Sequence, residues 1–233
     1  MRLNHERSDD HSNRAEQTTI VTAPTGELSP IEAAIMDACN ELHEVRKLDD
    51  QAAGAKIRQR LFLLIGKYDE TDGENHPNPA WARPNQRALA LSASGEILRA
   101  IDTERMALKY ADTDRRLEIS LDNLCDRCMR VGRYEEAIAY FLRANDVAPQ
   151  SVAVLLNGAM ALWLGGYHKQ AESIFAALCH QPEQLAPNGT LAAYLACESR
   201  LTTMRADLPA LDHLFKMHEE RNQAWRGRAG GAS

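Results

Sequence analysis

A chain of 233 residues, 44% hydrophobic and 26% charged, carries enough apolar material for one or two packed domains. Its formal charge of −6 argues against a general nucleic-acid binder, and no stretch approaches the roughly 18 consecutive apolar residues of a membrane span. Aromatics make up only 6% of the chain and alanine and leucine dominate the apolar set, a bias toward packed helices rather than a β-sandwich. The expected class is all-α.

The N-terminal residues Met1-Arg2-Leu3-Asn4-His5 lack the apolar core of a secretory signal. Five cysteines without a framework spacing fit a reducing compartment, so a cytoplasmic location is expected. Residues 1–28 are polar, with Asp9, Asp10, Ser12 and Asn13 and few large apolar side chains, and are expected to form a disordered tail.

Structure is expected to begin at Ser29-Pro30-Ile31-Glu32, where Ser29 can cap, Pro30 suits the first helical position and Glu32 completes a capping box. Ile31, Ile35, Ala38, Leu42 and Val45 then form one apolar stripe along a helix. The stripe either packs inside its own domain or forms a short self-association seam that would make a homodimer. Asp49-Asp50 is expected to cap a second helix bearing Ile57, Leu61 and Leu64, giving an N-terminal helical hairpin over 29–67. Asp72-Gly73, Asn75, Pro77, Pro79 and Pro84 predict a loop or linker over 68–84, with Trp81 either an exposed contact or a plug folded back on the core. Asn85–Tyr110 reads as helical, with Gly95 weakening it midway.

One pattern then occurs twice, 34 positions apart. The first copy runs Leu121-x2-Leu124-Cys125-x2-Cys128, Gly132-x-Tyr134-x2-Ala137-x3-Phe141, Ala144, Pro149. The second runs Leu155-x2-Gly158-Ala159-x2-Leu162, Gly166, Ala171-x3-Phe175, Pro182. Small residues at these places let two helices touch, glycine permits the turn between them and proline closes the unit. The clear copies span 118–151 and 152–185. A degenerate third, over 188–222, has helices near Thr190–Met204 and Asp207–Arg221 and carries Leu211-x3-Phe215. Residues 223–233 are rich in Gly and Arg and are expected to be a flexible tail.

This period and these offsets resemble the tetratricopeptide repeat. The resemblance implies antiparallel helical hairpins over 85–222 that stack into a short right-handed solenoid, with the first helix of each pair lining a concave groove. The segment Gly166-Tyr167-x3-Ala171-x3-Phe175-Ala176-Ala177-Leu178-Cys179, with Leu195-Ala196-Cys197-Glu198 after it, is also similar to type III secretion chaperones built on these repeats. That narrower likeness implies a chaperone holding an aggregation-prone secreted subunit in its groove.

In the first repeat the groove-facing positions implied by the register are Ile119, Asp122, Asp126, Met129 and Arg130; in the second they are Leu156, Met160, Trp163 and Leu164. An apolar set with Met and Trp suits a partner's hydrophobic side chains, unless a neighbouring repeat or the N-terminal helices cover it. Only Arg130 and Asn157 approach the basic and amide groove of repeats that clamp an acidic peptide end.

Reactive chemistry is not signalled. Cys125-x2-Cys128 is one pair where a closed zinc site needs two, and its positions coincide with small-residue slots of the repeat. Cys179-His180, His213 and His218 lack partners at readable spacing, and no phosphate-binding glycine loop, nucleophile elbow or His-Glu-x-x-His is present. The expected function is a non-catalytic protein-interaction module or chaperone, without cofactor or metal, binding a partner protein or peptide. The alternative is a scaffold subunit that oligomerises through its N-terminal helices.

Overall fold

The computed structural model describes residues 28–229, and all regular structure among them is helical. The tail expected over 1–28 lies outside the described residues except for Leu28.

Helix α1 (Pro30–Lys47) starts with the expected capping box: the Ser29 hydroxyl accepts the Glu32 N–H at 3.2 Å, and the Glu32 carboxylate accepts the Ser29 N–H at 3.0 Å. Helix α2 (Gln51–Glu70) is capped by Asp50, whose carboxylate accepts the Ala53 N–H at 2.9 Å. The stripe on α1 is used internally. Ile35, Ala38 and Leu42 are fully buried against Leu61 and Ile65 of α2 and Ala90 of the fourth helix.

The stretch 68–84 is not a linker. Glu70 ends α2, a single turn α3 covers Asp72–Asn75, and α4 spans Pro79–Ala93. Proline is tolerated at the start of α4 because the first helical N–H groups have no intrahelical acceptor, and Asn78 supplies the cap by accepting the Trp81 N–H at 3.0 Å. Trp81 folds inward, with its indole N–H donating to Ser120 Oγ at 3.0 Å and the Arg116 guanidinium over its ring.

The expected helix over 85–110 is divided. Chain reversal at Gly95 (φ 85°) separates α4 from α5 (Ile97–Lys109), and the two pack as a hairpin. Gly132 (φ 74°) makes the same turn between α6 (Asp114–Arg130) and α7 (Tyr134–Val147), as does Gly166 (φ 87°) between α8 (Val152–Leu164) and α9 (His168–Leu178). A positive φ strains any residue with a Cβ, which is why glycine punctuates each reversal. Helix α7 packs on α8 through the Phe141 ring, which lies where a side chain on Gly158 would be: a Cβ there would stand 2.1 Å from the ring.

The last pair departs from this regularity. After a 3-10 turn over Pro182–Leu185, the expected helix 190–204 breaks at Glu198 (ψ 103°) into α10 (Thr190–Cys197) and α11 (Ser199–Met204). Both pack on α8, while α12 (Pro209–Ala229) packs on α9 and buries Leu211 and Phe215. Helix α12 continues to Ala229, past the point where the tail was expected, because its Ala, Arg, Gln and Glu residues favour helix enough to carry Gly227. Residues 230–233 lie outside the described part. One continuous apolar core runs from α5 to α12, and a separate one joins α1, α2 and α4.

Candidate partner-binding groove

A groove of about 780 Å³ opens along the first helices of successive pairs, α4, α6 and α8, with α1 at one end and α10–α11 at the other. Steps of three and four put Ile119, Asp122 and Asp126 on one face of α6, directed into it. The opposite face of that helix, Leu121, Leu124, Cys125 and Cys128, is fully or almost fully buried in the core. Burial pushes the Cys128 thiol up to about 12 and raises that of Cys125 well above its ordinary range, so both behave as small apolar groups.

The groove has two characters. Its wall near the N-terminal hairpin is apolar, with Met36, Leu89 and Ile119 partly exposed. Its floor is a polar network. Arg200 donates to Asp126 at 2.6 Å and to both carboxylate oxygens of Glu198, at 2.9 and 2.8 Å. Asn157 donates to Asp122 at 2.9 Å and to the Tyr194 hydroxyl at 3.2 Å. Behind the floor, Arg127 donates to Glu104 at 2.6 Å, and Asn85 donates to the other Glu104 oxygen at 2.9 Å.

The sequence-expected positions divide between groove and core. Ile119, Asp122 and Asp126 line the groove, and so does Asn157. Leu156 and Met160 are 0% exposed, because α10 and α11 cover that face of α8; Trp163 and Leu164 are partly buried against the same core. Met129 is almost fully buried, with its sulfur 4.0 Å from Arg200 Nη1, and Arg130 is half-buried, donating to Ser92 at 2.7 Å. The second-repeat set thus belongs to the covered alternative. Sequence reasoning did not find Tyr194, Glu198 and Arg200 as floor residues, since they come from the irregular third pair where no repeat register reaches.

Electrostatics separate the two aspartates. Burial opposes ionisation of Asp126, but Arg200 and Arg130 outweigh it and hold its carboxyl below the usual range. Asp122 has no ion-pair partner among the described residues; burial and the neighbouring Asp126 and Glu118 push it up to about 7 against the hydrogen bond from Asn157. The sign follows from linkage: the unfolded chain ionises Asp122 near the ordinary carboxylate value, while the fold retains the proton to about 7, so this group's contribution falls as pH rises through that window. Asp122→Asn is therefore expected to be more stable than the native chain at pH 8, by on the order of 1–3 kcal/mol, with the margin vanishing toward pH 4. Denaturant unfolding of both proteins at pH 4.5, 6 and 8 checks it, and a margin constant with pH would contradict it.

Among the described residues no three His, Cys, Asp or Glu side chains converge as a metal site, and no helix is long and apolar enough to cross a membrane. Comparison of the sequence with protein-family models and with curated proteins gave no match.

Proposed function

We propose that the chain is a non-catalytic cytoplasmic interaction module of the tetratricopeptide type, whose hairpins stack as a short right-handed solenoid and hold a segment of a partner protein in the concave groove. The carrying observation is the groove itself: an open volume of about 780 Å³ along the first helices of the pairs, part apolar and part charged. The recurrent hairpins turning on Gly95, Gly132 and Gly166 support the repeat reading. A client-shielding chaperone is the form of this function that the sequence resemblance favours. Of the residues carrying the narrower secretion-chaperone likeness, Phe175, Leu178 and Glu198 are buried within the chain, while Tyr167, Ala196 and Cys197 are exposed.

The test uses a doubly altered groove, Gln86→Trp with Asp122→Arg, since both positions line it and neither is fully buried. The native chain is expected to co-purify a stoichiometric partner from its host, and the altered chain to lose that partner while keeping its helical circular dichroism. Undiminished capture by a folded double variant would place the binding surface elsewhere.

A further inference from the structure

We propose that the segment held in the groove presents an arginine or lysine side chain to Asp122, with apolar neighbours lying against Met36, Leu89 and Ile119. This rests on the groove-binding function and names the chemistry of its occupant. Charge complementarity carries it. Every other carboxylate at the groove already has a positive or N–H partner: Arg200 holds Asp126 and Glu198, Arg115 pairs with Glu118, and Glu32 caps α1. Among the described residues Asp122 accepts a hydrogen bond from the Asn157 amide and makes no ion pair, with Arg115 acting on it only from a distance, so at the junction of the polar floor and the apolar wall its carboxylate lacks a direct cationic partner.

An acidic peptide end would meet this carboxylate with repulsion, and a wholly apolar segment would leave it buried and unpaired, which is costly. A cationic side chain supplies the missing partner. Asn157 donates to the Tyr194 oxygen, which leaves the Tyr194 O–H to donate to a carbonyl of the bound segment.

The groups facing Asp122 are Glu118, Asp126 and Arg115 on its own helix, Asn157 on α8, Tyr194 on α10 and Arg200 on α11. The Tyr194 hydroxyl lies well above its ordinary value through burial, and Arg200 stays charged, so neither titrates near neutrality. Asp122 does, at about 7. Binding a cation therefore releases protons in mildly acid buffer, and affinity rises with pH.

The experiment selects random 12-residue peptides on the full-length chain, maps one selected peptide by amide shifts of the labelled protein, and titrates it by calorimetry at pH 5.5 and 8. The expected peptide carries Arg or Lys beside apolar residues and shifts amides of α4, α6 and α8. Its affinity should fall roughly tenfold or more when citrulline or norleucine replaces the cation, when Asp122 becomes Asn, and on going to pH 5.5. Peptides that shift those amides but lack a cation, or bind Asp122→Asn equally well, overturn the cationic assignment and leave the groove function standing. Peptides whose shifts lie outside the groove, or a selection without binders, overturn both.

Discussion

Glu104→Ala is expected to lower the unfolding free energy by about 3–5 kcal/mol, and Arg127→Ala by a similar amount. Both residues are almost completely buried, at 0% and 3% exposure, so removing one strands the other's charge away from water. The cost therefore measures an unpaired buried ion rather than the worth of the pair. Removing both charges should cost less than removing one: Glu104→Met with Arg127→Met, apolar at both positions, should recover most of the stability that either single change loses. Denaturant titration of the four proteins checks this. Single variants within about 1 kcal/mol of the native chain would show that water reaches the pair and screens it.

Arg200→Ala is expected to destabilise by a comparable amount, about 3–5 kcal/mol, with its effect concentrated on α10 and α11. Arg200 is the shared cation of two acids, forking onto Glu198 and reaching 74 positions back along the chain to Asp126. It ties the irregular last pair to α6, and its loss leaves two neighbouring carboxylates, one of them 2% exposed, with no counter-charge from α11. Protonation would relieve that repulsion, so the variant should regain stability as pH falls from 7 to 4.5. The native chain behaves oppositely at Asp126, whose depressed carboxyl contributes stability that is lost in acid. Arg200→Lys should restore only part, because an ammonium cannot bridge both acids as a planar guanidinium does. Hydrogen exchange should show residues 190–204 opening first in Arg200→Ala; uniform loosening across the chain would contradict a local tie.

How much of this was legible in the residues depended on whether physical regularity reached them. The capping box at Ser29 and Glu32 and the turns at Gly132 and Gly166 follow from local rules of capping and positive φ, and the structure shows them; Ile119, Asp122 and Asp126, which the tetratricopeptide resemblance placed on a groove face, line the groove. The α4–α5 hairpin falls within the span where the resemblance implies hairpins, but its own copy of the pattern went unread: Gly95-x4-Ala100-x3-Glu104 repeats Gly132-x4-Ala137-x3-Phe141 with an acid in place of the ring. That acid is the buried partner of Arg127, and its polarity hid the match. The prolines at 79 and 84 suggest a linker, whereas Pro79 sits at the N-terminus of α4 and Pro84 is carried inside that helix. Leu156 and Met160 were placed toward the groove by extending the first repeat's register by 34 positions. In the structure α10 and α11 cover that face of α8, and a break at Glu198 held by a side-chain network from α6 is a long-range event that no local pattern encodes.

The central claim, a partner held along α4, α6 and α8, is tested most directly by site-specific photocrosslinking in the native host. A benzophenone amino acid replaces Gln86, which lines the groove, and in a second protein Leu142, which is 55% exposed on α7 and is not among the groove residues. The account predicts one discrete crosslinked partner from position 86 and none from 142, with the product lost when Asp122→Arg is added. Crosslinking of the same partner from 142 but not from 86 would contradict it and move the binding surface to the outer helices.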